Sequence, residues 1–385
     1  MEHLLNDQVK SLQISGIRKF FNMVANKQDI ISLTIGQPDF PTPENVKNAG
    51  KTAIDQNHTT YTHNAGMFPL RQAIADFVSE KYHLSYNPDD EIIVTVGASQ
   101  AIDITLRTII QPGDEVILPS PVYPGYEPLI KLAGGVPVHA DTRDTNFKLT
   151  GDLIKSHISK KTKCVIIPYP SNPTGMTLSH AEIEDIADLL ENKEIFILAD
   201  EIYSELVYEQ DHTSIASFKK MRDKTIVING LSKSHSMTGW RIGYLLCPDW
   251  LGAHILKVHQ YNVSCATSIS QHAALSALTS DKLAPIKMKN QYKKRRDYVY
   301  QRLTDMGLDI LKPDGAFYFF IKLEVDGLSS FELAIKLVEE AKLALVPGDA
   351  FSEGGKGYLR LSYAYDFKTI ETALERLETF LKNNQ

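Results

Sequence analysis

Cysteine is scarce in this chain. Cys164, Cys247 and Cys265 are its only three, and they form neither a CxxC pair nor a zinc-ligand spacing. So few thiols exclude a disulfide-built scaffold and fit a reducing compartment. Long apolar runs are missing too. No segment approaches the ~18 apolar residues that cross a bilayer. The opening MEHLLNDQVK, charged at Glu2, Asp7 and Lys10, lacks the apolar centre of a signal peptide. These absences predict a cytoplasmic protein with no membrane partner. Nor is there a basic excess: 41 Lys and Arg stand against 47 Asp and Glu, a net charge of −6. That balance excludes the positive field a nucleic-acid-binding surface needs. The chain has no internal repeat, no low-complexity tract and no G-x-G-x-x-G. Gly50-Lys51-Thr52 ends like a P-loop, but position 45 is Asn and no strand precedes it, so that reading fails.

What is present reads as a globular α/β protein. At 385 residues and 43% hydrophobic content the chain can bury a large core, and its length predicts two domains. From residue 90 short apolar runs alternate with helical stretches. EIIVTV (91–96), EVILP (115–119), KCVIIP (163–168), EIFILAD (194–200), TIVIN (225–229) and IGYLLC (242–247) read as buried strands. Helices are expected at 100–110, 124–133 and 180–191, the last with a capping-box spacing at Ser179 and Glu182. This order predicts a mainly parallel central sheet with helices on both faces. The C-terminal third differs, with helices at 284–306, 329–342 and 366–382 and strands at 316–321, ALVP and YLRLSY. It suits a smaller α+β domain. The expected division is a large domain at 46–280 and a small one from 1–45 and 281–385.

Five features carry chemistry. Each also has a plain structural reading. Gly97-Ala98-Ser99-Gln100 lies between a strand and a helix, where small residues let backbone N–H groups approach an anion, or simply make a tight turn. PYPSNPTG (168–175) is a turn in either case, but it presents Asn172 at the carboxyl edge of the sheet, where open α/β sheets bind ligands. Asp200 ends an apolar strand, with Tyr203 one turn on. A carboxylate there needs a salt bridge or a cationic ligand ring. Lys233 follows the strand TIVIN in a loop rich in hydroxyls. It reads as a solvated lysine or as an amine activated by a cation such as Arg241. Arg360, inside the strand YLRLSY, reads as half of a buried ion pair or as a fork for a substrate carboxylate. Together they supply an anion cup, an acid, a reactive amine and a carboxylate fork, which is what pyridoxal phosphate chemistry requires.

At this point the chain resembles the fold-type I, class I/II aminotransferases that use pyridoxal 5′-phosphate. The resemblance runs from Ile14 to the C-terminus. Its carriers are LTIGQPDF (33–40), YTHNAG (61–66), VTVGASQAI (94–102), YPSNPTG (169–175), ADEIY (199–203), SKSHSMTGWRIGY (232–244) and RLS (360–362). It implies that Lys233 is the Schiff-base lysine and proton carrier, and that Asp200 keeps the pyridine nitrogen protonated. Asn172 and Tyr203 would bond the phenolic oxygen, and Tyr123 would stack on the ring. Ala98, Ser99, Ser232 and Arg241 would hold the phosphate. Tyr61 would reach the phosphate of a neighbouring subunit, implying a homodimer with shared sites. Arg360, with the Gly36 backbone, would bind the substrate α-carboxylate. No metal is implied. Gly230 departs from the pattern: related enzymes often carry Ser there, which leaves no side chain at that position for a phosphate contact. No second arginine for a dicarboxylic side chain can be placed, and Arg18 and Tyr261 are further candidates for lining the site. The expected activity is ping-pong transfer of an amino group from an L-amino acid to a 2-oxo acid. A carbon–sulfur β-lyase, an aromatic- or aspartate-type transaminase, a non-catalytic regulator and a scaffolding α/β protein are the competing readings.

Overall fold

The apolar runs become one seven-stranded sheet. A computed structural model describes residues 1–14, 16–24, 28–323, 325 and 327–384, leaving out the side chain of Arg18. The strands are β1 (Ile92–Thr95), β2 (Glu115–Ser120), β3 (Val136–Asp141), β4 (Thr162–Ile167), β5 (Phe196–Asp200), β6 (Thr225–Gly230) and β7 (Gly243–Leu246). They are ordered β1-β7-β6-β5-β4-β2-β3. All run one way except β7, which is antiparallel to both β1 and β6. Successive residues feed opposite faces, as strand pleating requires. Leu198 of β5 joins one apolar cluster with Ile166 and Ile226, while Ile197 and Ala199 join another with Val165 and Ile186. Each such leucine, isoleucine or valine, fully buried, contributes roughly 1.5–3 kcal/mol. Helices Gly97–Ile109 and Asp249–Val263 cover the first face, and His180–Leu190 covers the other.

β3 is absent from the sequence expectation. Pro137 and His139 interrupt its apolar pattern, and as the edge strand it is only partly buried. The two capping boxes form as their spacing predicts, at Ser179–Glu182 and at Ser329–Glu332. The strand expected from 316 begins at Tyr318, because Ala316 takes a left-handed φ of 53° and gives its N–H to Leu206 O.

The C-terminal third forms an antiparallel three-stranded sheet of Val346–Pro347, Tyr358–Ser362 and Tyr318–Lys322, with Arg360 opposite Phe320 and Ser362 opposite Tyr318. Helices Ala284–Asp305, Ser330–Glu340 and Phe367–Asn383 belong to the same region. The N-terminal segment reaches this region as well: Ile31–Ser32 pairs in parallel with Leu343–Ala344. Among the described residues no helix is long and apolar enough to cross a membrane.

Candidate active site

The carboxyl ends of β1, β5 and β6 open into a cleft of about 840 Å³, closed on its far side by the strand carrying Arg360. Ala98, Ser99, Tyr123, Asn172, Asp200, Tyr203, Ser232, Lys233, Arg241, Arg360 and Gly36 all line it.

One end is an anion cradle. The chain leaves β1 through Gly97 at φ +75°, a left-handed conformation that glycine adopts freely, and starts the helix Gly97–Ile109. The free N–H groups and positive end of that helix face the cleft beside Ser99. A Cβ on Gly97 would lie 2.6 Å from Arg241 Nη2, so the guanidinium rests against the turn. Arg241 is itself left-handed, at φ 50°, and donates to Thr238 O at 2.9 Å. Gly230 and Gly243 pair across β6 and β7. A Cβ on Gly230 would meet Gly243 Cα at 2.9 Å, and one on Gly243 would meet Ala98 N at 2.7 Å. Gly230 is thus the residue this packing admits, and backbone N–H groups, Ser99, Ser232 and Arg241 are the donors that line this end of the cleft.

The acid and the amine sit deeper. Asp200 accepts from Tyr126 Oη at 2.6 Å and from Ile202 N at 3.2 Å. Burial pushes its carboxyl up to about 6, against the hydrogen bonds from Tyr126 and Ile202. The neighbouring Glu201 turns away to Ser214 Oγ at 2.6 Å and His212 at 3.0 Å. Lys233 lies in the short helix Leu231–Ser234 directly after β6 and donates to Gly36 O at 2.6 Å. Burial, then Arg360, then Arg241 pull its amine down to about 8, with Asp200 opposing. Arg241 therefore does act as expected, but behind burial and Arg360.

The opposite wall is a cation with neutral partners. Arg360 is 2% exposed, and its guanidinium donates to Asn172 Oδ1 at 2.8 Å and to Thr34 O at 2.5 Å. Its buried Nε meets no acceptor among the described residues. Burial lowers the pKa of the guanidinium, which the surrounding tyrosines only partly offset. A carboxylate is the group such a fork lacks.

Three residues of this cleft were not read from the sequence. Tyr126 opens the helix Tyr126–Leu132 three positions after Tyr123, and that closeness in sequence was the available signal. Tyr318 bonds Tyr203 Oη at 2.7 Å, but inside AFYFFI it reads as core. Thr34 acts through its carbonyl, which leaves no signature. Tyr61 and Tyr261 lie elsewhere, at 86% and 88% exposure, outside the cleft of their own chain. The Arg18 side chain is outside the described residues, although Ile17 and Phe21 on the same helix line the cleft.

The donor set fits pyridoxal 5′-phosphate: a cradle that no Cβ may enter, a buried carboxyl, a half-buried amine and an unsatisfied carboxylate fork. Known proteins agree. The chain is 57% identical, over 99% of its length and 96% of the relative's, to a probable N-acetyl-LL-diaminopimelate aminotransferase of Bacillus subtilis. It is 39% identical, over 99% of both chains, to an aspartate aminotransferase of Pyrococcus abyssi. Among solved structures, an aspartate aminotransferase from Thermus thermophilus with maleate superposes with a TM-score of 0.92 at 33% identity, covering 97% of this chain and 99% of that one. An aromatic aminotransferase from Pyrococcus horikoshii gives 0.90 at 38%, covering 95% and 99%. Residues 28–377 match the family described as aminotransferase class I and II. The chain is a member of that pyridoxal-phosphate-dependent family and an aminotransferase.

Proposed function

We propose that this aminotransferase exchanges the amino group of N-acetyl-L,L-diaminopimelate with the glutamate/2-oxoglutarate pair, in lysine biosynthesis in the cytoplasm. The relative at 57% identity, named for that substrate, supports the choice. The observation that carries the chemistry is one cleft lined by a half-buried amine, a buried acid and an unpaired carboxylate fork. Pyridoxal 5′-phosphate, when bound, supplies the electron sink for the bonds broken at the substrate Cα.

The chain's own residues do the rest. Arg360 binds the substrate α-carboxylate through the two-pronged face that Asn172 and Thr34 leave open, helped by the Gly36 backbone. Lys233 Nζ takes the proton from Cα, and an amine held near 8 is a competent base at neutral pH. Asp200 holds a proton at the ring nitrogen, with Tyr126 fixing its orientation. Asn172 and Tyr203 would hold the phenolic oxygen of the cofactor and Tyr123 would lie against its ring. Ala98 N, Ser99, Ser232 and Arg241 would hold its phosphate. The two substrates use one cleft in turn, so the kinetics are ping-pong.

The same reading divides the chain into 46–280 and 1–45 with 281–385, so that the cleft lies between the two parts. It makes the protein a homodimer in which the exposed Tyr61 completes the phosphate site of the partner subunit.

A visible absorption spectrum of the purified protein, before and after glutamate, tests the chemistry. A yellow band that converts on adding glutamate is the expected result. Turnover with N-acetyl-L,L-diaminopimelate, exceeding that with aspartate and phenylalanine, tests the substrate. Absence of a band after adding the cofactor overturns the roles given to Lys233. Pyruvate release from cystathionine without an acceptor identifies a β-lyase instead.

A further inference from the structure

Tyr318 is fully buried and touches three parts of the cleft at once. It lies on the strand Tyr318–Lys322, two residues before Phe320, which stands directly opposite Arg360. Residues two apart on a strand share a face, so Tyr318 is the diagonal neighbour of Arg360. Its ring centroid lies 4.4 Å from the Arg360 guanidinium carbon, and Phe351 lies against the same guanidinium at 5.0 Å. Its hydroxyl lies 2.7 Å from Tyr203 Oη, a phenol otherwise packed edge-on against Phe317. The same hydroxyl sits over Gly36, where any Cβ would collide with it, and Gly36 O is the acceptor of Lys233.

We propose that Tyr318 is a positioning residue for both ends of the reacting cleft: its ring seats the Arg360 fork and its hydroxyl aims Tyr203. Among the described residues Arg360 has no anionic partner to fix it, and only two of its nitrogens are hydrogen-bonded. The two hydrogen bonds restrain the guanidinium within its plane, and the ring face restrains it out of that plane. A desolvated Tyr203 hydroxyl needs a partner to take one orientation, and Tyr318 Oη is that partner. One rigid side chain therefore sets the spacing between the group that grips the carboxylate and the phenol beside the lysine. The inference rests on the roles proposed above for Arg360 and Tyr203.

The two halves separate by substitution in the cofactor-loaded enzyme. Tyr318→Phe keeps the ring and loses the hydroxyl. Tyr318→Leu loses both. One readout is calorimetric affinity for glutarate, a probe with a carboxylate for the fork and no amine to react. The other is the midpoint of the pH titration of the visible band. Tyr318→Phe is expected to hold glutarate affinity within about twofold and to displace the band midpoint by about half a pH unit or more, on the scale of one hydrogen bond. Tyr318→Leu is expected to displace the midpoint equally and weaken glutarate binding about tenfold, on the scale of a desolvated cation–π contact. An unmoved midpoint in Tyr318→Phe overturns the hydroxyl half, and unchanged glutarate affinity in Tyr318→Leu overturns the ring half. Should Tyr318→Leu fail to fold, pentafluorophenylalanine at 318 replaces it. That residue keeps the shape and reverses the ring's electrostatic face, and equal glutarate affinity to Tyr318→Phe overturns the ring half. Arg360→Ala is the control for the underlying reading. If glutarate binding survives it, the fork assignment itself fails, and that failure is distinct from any result at 318.

Discussion

Arg296, on the helix Ala284–Asp305, is fully buried, and so, to within 2%, is Arg360. Arg296 donates to Glu209 Oε1 at 2.5 Å, to Asp297 Oδ1 at 2.7 Å and to Pro313 O at 3.1 Å. Burial works against its charge, but Glu209 and Asp297 outweigh it and raise its pKa. Arg360 has amide, carbonyl and aromatic neighbours in place of carboxylates, and burial lowers its pKa. The same side chain at the same depth is thus a finished structural joint in one place and, among the described residues, a cation without a carboxylate in the other. Depth of burial does not separate the two. The source of the counter-charge does, because a chain that supplies its own carboxylate leaves nothing for a ligand to do.

The contrast can be broken in four places. The largest effect belongs to the amine beside the open fork. Lys233→Ala is expected to lose at least about 10²–10⁴-fold in turnover, the scale of positioned proton transfer. Near-normal turnover in a purified variant would remove the chemical reason for the cleft. Next comes the closed arginine. Arg296→Met is expected to cost about 1.5–3 kcal/mol in urea unfolding, the scale of a charged hydrogen bond, since Pro313 O loses its donor while Glu209 and Asp297 keep Lys293 and Lys312, with turnover per folded molecule unchanged. Arg360→Met sharpens the comparison by reversing the pattern. Its unfolding free energy stays at or above that of the parent, while substrate affinity falls by about 1.5–3 kcal/mol, read as a raised KM. A parent-like KM would place Arg360 with Arg296.

The smallest effect is a pH signature. Asp200 holds its proton up to about 6 in the folded chain against an ordinary 3.8. Its contribution to stability is present below pH 4 and lost as pH rises through 6, because the unfolded chain ionises first. Asp200→Asn in the cofactor-free protein is expected to flatten that decline and to leave the variant more stable than the parent at pH 7. Identical pH profiles for parent and variant would mean that Asp200 is not the group responsible.

Much of this was legible from residue order alone. Apolar, β-branched runs of four to seven residues located six of the seven strands, because a strand buried on both faces has no room for polar residues. Direction was not legible: the run IGYLLC carries nothing that says β7 opposes its neighbours. The edge strand β3 was invisible because a half-exposed strand tolerates Pro137 and His139. The cleft residues on strand ends stood out because a Lys, Asp or Arg beside an apolar run demands a reason. Tyr126 and Tyr318 did not, since an aromatic in an apolar stretch already has one. Gly230 read as a missing side chain, whereas the packing of Gly243 against it leaves no space for one.

The reversed strand also sets a schedule. Because β7 runs back along β6, the chain leaves and re-enters the same sheet edge within residues 231–242, and one local loop delivers both Lys233 and Arg241. The Arg360–Asn172 hydrogen bond instead joins residues 188 apart. During synthesis the strands bearing the anion cradle, acid and amine have all emerged once residue 246 is free, whereas the fork waits for residue 362. At ~5–20 residues per second that interval is on the order of ten seconds. For that time a nascent chain has the parts proposed to grip the cofactor and lacks the arginine proposed to hold the substrate carboxylate.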